Sequence, residues 1–233
     1  DDPAQLSTPR KITAQKQVVR KAYLHASWSA MNLASELSGD NALARIQARV
    51  TAFRTRQVQR RLIATVNGFL ADNVAQDSGD MMLDISTQPG TAALFSTAAV
   101  IDAAGTMGDR LREVAGVAVH SDTYRAMLKN DLIEFIPDSQ ARPIAAYRAL
   151  MVITDDLMPK DTDVYATVLF APGAIGWGIA APRIAPGTEV ENTPAAGNGG
   201  GQQILHARVN LAIHPSGFAW TEAAVADESP TIA

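Results

Sequence analysis

Few residues in this chain have side chains suited to chemistry, and their spacing decides most of what they can do. The run His120-Ser121-Asp122 sets the residue types of a hydrolase relay side by side. Neighbouring residues on a strand point to opposite faces, so adjacency does not build an in-line relay. Ser121 or Asp122 capping a helix explains the same residues more simply, and a hydrolase using His120 and Ser121 is kept as an alternative. His206 and His214 stand eight apart, with no third ligand at metal-like spacing. Asp155, Asp156, Asp161 and Asp163 form the densest acidic patch, but TDDLMPKDTD lacks the glycine and closing glutamate of a calcium loop. That stretch reads as a turn, or as a docking surface for a basic segment. The glycines at 197, 199, 200 and 201 surround Asn198 without the lysine of a phosphate cradle, so a flexible loop is expected there. P-loop, G-x-G-x-x-G, H-E-x-x-H and G-x-S-x-G patterns are all missing, and no cofactor or metal is expected.

The composition allows a folded chain and excludes several classes. There are 233 residues, 47% hydrophobic and 19% charged, which is enough for one substantial core or two modest ones. With no cysteine, disulfides and thiolate chemistry are excluded. The longest near-apolar stretch, 168–182, is broken by Pro172, Gly173, Gly176 and Gly178 and falls short of the roughly 20 residues that span a bilayer. The net charge of -4 hides an asymmetry: residues 1–70 hold eleven basic residues against four acids, the rest nine against twenty. Such a dipolar chain can pair head to tail with copies of itself, or lie on nucleic acid.

The elements that must position these residues are dominated by one signal. From Asn41 to Leu70 there is no proline and one glycine, and Leu43, Ile46, Val50, Phe53, Leu62, Val66 and Phe69 recur at helical spacing. This predicts an unbroken helix, capped by Asp40, several-fold longer than the usual ~11–12 residues. Its polar face carries Arg45, Arg49, Arg56 and Arg60. Before it, 12–23 reads as an exposed basic strand with Lys16, Arg20 and Lys21, and 27–39 as a short helix stopped by Gly39. After it, 71–92 is expected to be a loop and 94–111 an amphipathic helix. Then come a strand at 116–121, a helix at 121–131, strands within 132–138 and 146–159, and a strand–turn–strand at 164–180. A long loop at 181–203 and a closing strand from 204 complete an α+β order.

Several segments resemble the HK97-like major capsid proteins of tailed bacteriophages and prophages. They are SWSAMNLASELSGDNALARIQARVTAFRTRQVQRRLIATVNGFLADN (27–73), VAVHSDTYRAMLKNDLIEFIPDSQ (117–140) and VITDDLMP (152–159), with VYATVLFAPGAIGWG (164–178) and LAIHPSGFAW (211–220) weaker. The resemblance implies an HK97-like α+β fold. Residues 1–26 would be an arm and the returning strand of the extended E-loop, and 27–90 a peripheral (P) domain with its spine helix at 41–70. Residues 91–203 would be mostly axial (A) domain with strands lent to the P domain, and 204–233 a strand region shared by both. In that family an N-terminal arm and the outgoing E-loop half precede the returning strand. This chain is therefore expected to be a processed product or part of something longer.

The implied function is structural: self-assembly, as pentamers and hexamers, into an icosahedral shell that encloses double-stranded DNA without sequence recognition. The shell would form in the host cytoplasm, with scaffolding, portal or decoration proteins as further partners and no membrane. An encapsulin-like compartment shares the implied fold and is the nearer alternative. Charge pairing within or between subunits is expected to join Lys16, Arg20, Lys21, Arg45, Arg49, Arg56 and Arg60 to Asp155, Asp156, Asp161 and Asp163.

Overall fold

A computed structural model describes residues 11, 16–137, 143–197, 199–221 and 229. The expected N-terminal arm at 1–10, the start of the basic strand at 12–15, Asp138 and Asn198 lie outside the described residues.

The long helix, α2 (Ala42–Gln76), runs unbroken for 35 residues, or about 52 Å at 1.5 Å per residue. Its N-cap is Asn41, whose side chain accepts the Ala44 amide at 3.0 Å. Asp40, the expected cap, instead pairs with Arg45. The helix continues six residues past Leu70 because Asn73 provides a buried stop. The Asn73 carbonyl accepts the Asp77 and Gly79 amides, while its side chain donates to Asp80 at 2.7 Å and accepts from the Met81 amide. The expected helix at 27–39 is corrected to a strand, β1 (Lys21–Met31), followed by a short helix, α1 (Asn32–Ser38). SWSAM alternates burial as a half-buried strand does, and Gly39 stops α1 with φ 65°.

Two sheets share the remaining chain. In the first, β1 and β11 (Gln202–Pro215) pair antiparallel over eleven residues, from Lys21 opposite Ala212 to Met31 opposite Gln202. β10 (Thr188–Thr193) and β9 (Ile175–Ala180) pair with the two halves of β11. The expected long loop at 181–203 therefore contains a strand; TEVENT offers no apolar alternation from which to read it. Leu205, Ala207, Val209 and Leu211 are buried on one face of β11, beneath α2, whose buried members are Ile63, Val66 and Asn73.

The second sheet has the order β3 (Glu134–Pro137), β4 (Pro143–Tyr147), β5 (Leu150–Thr154), β2 (Gly116–Val119), β8 (Val168–Phe170). β4 and β5 turn through Arg148 (φ 48°) and Ala149 (φ 69°), the two left-handed residues of a tight hairpin whose twist matches its strands. Over this sheet lie α3 (Thr97–Gly105) and α4 (Ser121–Lys129). Val100 and Met127 join Val117, Val119, Ile133 and Tyr147 in one core, and the Tyr147 hydroxyl bonds Thr97 at 2.7 Å. α3 is shorter than the expected 94–111 helix; a turn of 3-10 helix at Gly108–Glu113 replaces its end. Lys160–Asp161 (β6) and Val164–Tyr165 (β7) form a small separate hairpin. The Pro-Gly turn at 172–173 does not make the hairpin its sequence suggests. β8 belongs to the second sheet and β9 to the first, so this turn carries the chain between them. Among the described residues β11 pairs only within the first sheet.

Candidate assembly surfaces

Of the residues singled out for catalysis, His120 is the N-cap of α4: its Nδ1 accepts the Asp122 amide at 3.1 Å, a role expected of Ser121 or Asp122. The ring is buried against Tyr165, centroids 5.0 Å apart, and no hydrogen bond joins it to Ser121 among the described residues. Asp122 is the hub instead. It pairs with Arg125, lies 3.5 Å from Lys160 Nζ and accepts the Tyr165 hydroxyl at 3.1 Å. This knits the start of α4 to the β6–β7 hairpin.

A second polar cluster, which sequence reading missed, lies on the face of the first sheet turned away from α2. Ser27 Oγ is 2.9 Å from His206 Nδ1 and 3.1 Å from His25 Nε2, and His206 Nε2 is 3.0 Å from Glu191. Beside it Arg208 donates to Glu189 at 2.8 Å. Glu191, His206 and Ser27 have the order of a hydrolase relay and lie on an open sheet face. They act as cross-strand pairs holding β1, β11 and β10 in register. Only the pairing register, which the sequence does not print, brings residues 25, 27, 191 and 206 together. Among the described residues no group of three metal-ligating side chains converges, and no helix is long and apolar enough to cross a membrane.

The charged residues expected to pair lie in several separate places. Lys16 is exposed; Arg20 lies over the Trp220 ring at 5.2 Å and Lys21 over Tyr23 at 4.7 Å, so two of these three cations meet aromatics. The Trp220 amide donates to the Val18 carbonyl, fastening this strap to the chain beyond β11. Arg45 pairs locally with Asp40. Arg49, Arg56 and Arg60 are exposed and make no ion pair among the described residues. Asp155 does reach the helix: it accepts from Gln59 and also caps the Leu157 amide at 2.9 Å. Gln59, Arg56, Asp155 and Asp156 face one another across a cleft of ≈ 540 Å³. Asp161 and Asp163 are on or beside the β6–β7 hairpin, exposed to solvent. Arg61 is drawn in between α2 and the first sheet, where burial lowers its pKa from the usual arginine value.

The apolar stripe of α2 is covered unevenly. Ile63 and Val66 are buried on the sheet, and Phe69 packs on Phe218 with centroids 5.6 Å apart. Towards the N-terminus Leu43, Ile46 and Val50 are half-buried, and Phe53 is exposed beyond an edge contact with Trp28. A helix that leaves part of its stripe and a row of arginines in solvent is built to be touched from outside.

Comparison with known proteins decides by what. The major capsid protein of Bacillus phage SPP1 is 34% identical over 230 residues, covering 96% of this chain and 67% of that protein. The chain belongs to the bacteriophage major capsid protein family. No family model matches. Among solved structures, Microbacterium phage Oxtober96 aligns with a TM-score of 0.56 at 13% identity, covering 94% of this chain and 75% of that one. The holo-SrpI encapsulin complex from Synechococcus elongatus PCC 7942 aligns with a TM-score of 0.51 at 16% identity, covering 83% and 70%. The capsid subunit therefore has the HK97-like fold expected from its sequence. Its role is structural: it self-assembles into the multimeric shell of the virion.

Proposed function

We propose that this capsid subunit closes, as pentamers and hexamers, into an icosahedral shell around double-stranded DNA, formed in the host cytoplasm. The observation that carries this reading is the 34% identity to the SPP1 major capsid protein along nearly the whole chain. The division into two sheets supports a domain assignment of this kind. The long helix with β1, β9, β10 and β11 serves as the P domain, the five-stranded sheet with α3 and α4 as the A domain, and residues 16–26 as the base of the returning E-loop strand. In this reading the DNA meets charge without being read, and scaffolding, portal or decoration proteins are further partners.

Arg49, Arg56 and Arg60, exposed and without acidic partners among the described residues, supply the cations for contacts between neighbours. Asp156, Asp161 and Asp163 supply exposed acids, Lys16 and Lys21 add to the basic strap, and Arg56 lines the same cleft as Asp155 and Asp156 without an ion pair to either. Individual exposed pairs contribute only about 0–1 kcal/mol, so their effect comes from the many contacts each subunit makes in a closed shell. The double variant Arg49→Glu/Arg56→Glu is expected to keep its helical circular dichroism while particle yield, counted by electron microscopy, falls at least tenfold. Normal particle numbers would remove charge pairing from the assembly mechanism. The encapsulin likeness favours a second reading, a protein-filled compartment; purified particles carrying nuclease-protected DNA would exclude it.

A further inference from the structure

The pairing register sets a chain of polar side chains on the outer face of the first sheet. Ser27 lies directly opposite His206 in the β1–β11 pair, and His25 comes two residues earlier on the same face of β1. On the other side of β11, Glu189 is the direct partner of His206 and Glu191 its diagonal neighbour. Glu189 is engaged by Arg208 at 2.8 Å, which leaves Glu191 to the imidazole at 3.0 Å. Holding strands in register accounts for the pair of Glu189 and Arg208. It does not require a serine hydroxyl set between two imidazole nitrogens.

The hydrogen bonds fix which atom carries each proton. A carboxylate only accepts, so His206 Nε2 bears the hydrogen and its Nδ1 presents a lone pair. Ser27 Oγ, 2.9 Å from that Nδ1, donates its hydrogen there. Its remaining lone pairs accept from His25 Nε2–H at 3.1 Å. The two rings stack with centroids 5.9 Å apart and planes 15° from parallel, so each steadies the other. Ser27 is exposed, while the His206 side chain keeps only 19% of its surface in solvent. An accessible hydroxyl, a sheltered base bonded to it and a carboxylate orienting that base are the parts of an activated nucleophile, which geometry defines rather than order in the chain.

We propose that Ser27 attacks small, activated carboxylic esters, with His206 as general base, Glu191 as its positioning residue and His25 as donor to the oxyanion. Ser27 Oγ bonds to the ester carbonyl carbon while its proton passes to His206 Nδ1. The carbonyl oxygen takes up negative charge beside His25 Nε2–H. On collapse the bond from carbon to the leaving oxygen breaks, and His206 gives its proton to that oxygen. The alcohol departs and the acyl group stays on Ser27. Water then loses a proton to His206 and bonds to the acyl carbon; the bond to Oγ breaks, the proton returns to Ser27, and the carboxylic acid is released. An open sheet face selects little by shape, so the reactivity of the leaving group sets the substrate class. The relay lies within one subunit and does not depend on the shell reading.

The probe is p-nitrophenyl acetate, given to the purified full chain and quenched in acid, with peptide mass mapping to locate the acetyl group. Acetyl is expected on Ser27, and p-nitrophenolate release is expected to exceed that of Ser27→Ala at least tenfold. His206→Gln, if its circular dichroism and thermal unfolding match the parent's, should lower Ser27 acetylation at least tenfold. Ser29→Ala, on the same face of β1, should leave it unchanged. Surface histidines and lysines also take up acetyl groups, so release without acetyl on Ser27 would overturn the proposal. Equal Ser27 labelling in the parent and in folded His206→Gln would do the same. Nitrogen NMR of the parent's imidazole rings tests the relay without any substitution: His206 is expected with its hydrogen on Nε2, and a hydrogen on Nδ1 would overturn it. Glu191→Ala should show both tautomers of His206; an unchanged Nε2–H form would overturn the positioning role of Glu191.

Discussion

Gly201 shows how one position ties together parts of the chain far apart in sequence. Its φ of 77° belongs to the left-handed region, and a Cβ there would lie 2.8 Å from the Thr193 carbonyl oxygen and 2.9 Å from Pro194 Cα. Its own carbonyl accepts the Asn32 amide at 3.0 Å, and Gly200 accepts from the Asn32 side chain. The β10–β11 loop is therefore latched onto the β1–α1 junction. The sequence showed a glycine-rich loop at this place; it did not show that one of these glycines has backbone pressed against it. Gly201→Ala is expected to cost roughly 1–3 kcal/mol, the range for a strained non-glycine residue, read as a lowered midpoint in chemical denaturation. Gly199, with nothing near its missing Cβ, should accept alanine with little change.

The long helix and the long strand support each other at the scale of elements. An amphipathic helix of this length gains most of its stability from the surface it lies on, and here that surface is the alternating face Leu205, Ala207, Val209, Leu211. Leu205 is 1% exposed, so Leu205→Ala should lose about 2–5 kcal/mol through lost burial and the cavity left behind. Hydrogen exchange should then rise in α2 as well as in β11. The helix was legible because its period is strong and nothing breaks it. β10 was not legible, because TEVENT is exposed along nearly its whole length and its partner strand alone makes it a strand. The division of 164–180 between two sheets was hidden for a similar reason. A Pro-Gly turn fixes a local reversal, but long-range pairing decides which strand each arm finds.

At the scale of the whole molecule, the subunit leaves its arginine row and Phe53 of its helix stripe exposed. Charge pairing between neighbours should weaken with ionic strength, because the Debye length shortens from ~10 Å at 0.1 M to ~3 Å at 1 M. Shell assembly followed by light scattering is expected to slow and to lose yield between those salt concentrations. Apolar contacts should resist the same change. A yield that rises with salt would assign assembly to apolar contacts alone.

The sequence by itself determined the long helix, the α+β order and the family, since periodicity and motif spacing are local properties that survive in a linear reading. It also separated the basic front of the chain from its acidic remainder. Only the tertiary structure decided that His120 caps a helix, that His25, Ser27, His206 and Glu191 meet on one sheet face, and that Asp155 reaches Gln59. Each of these depends on strand register or on the packing of distant segments. Register moves every side chain to the opposite face when it shifts by a single residue, and no local pattern in the sequence states which shift is taken.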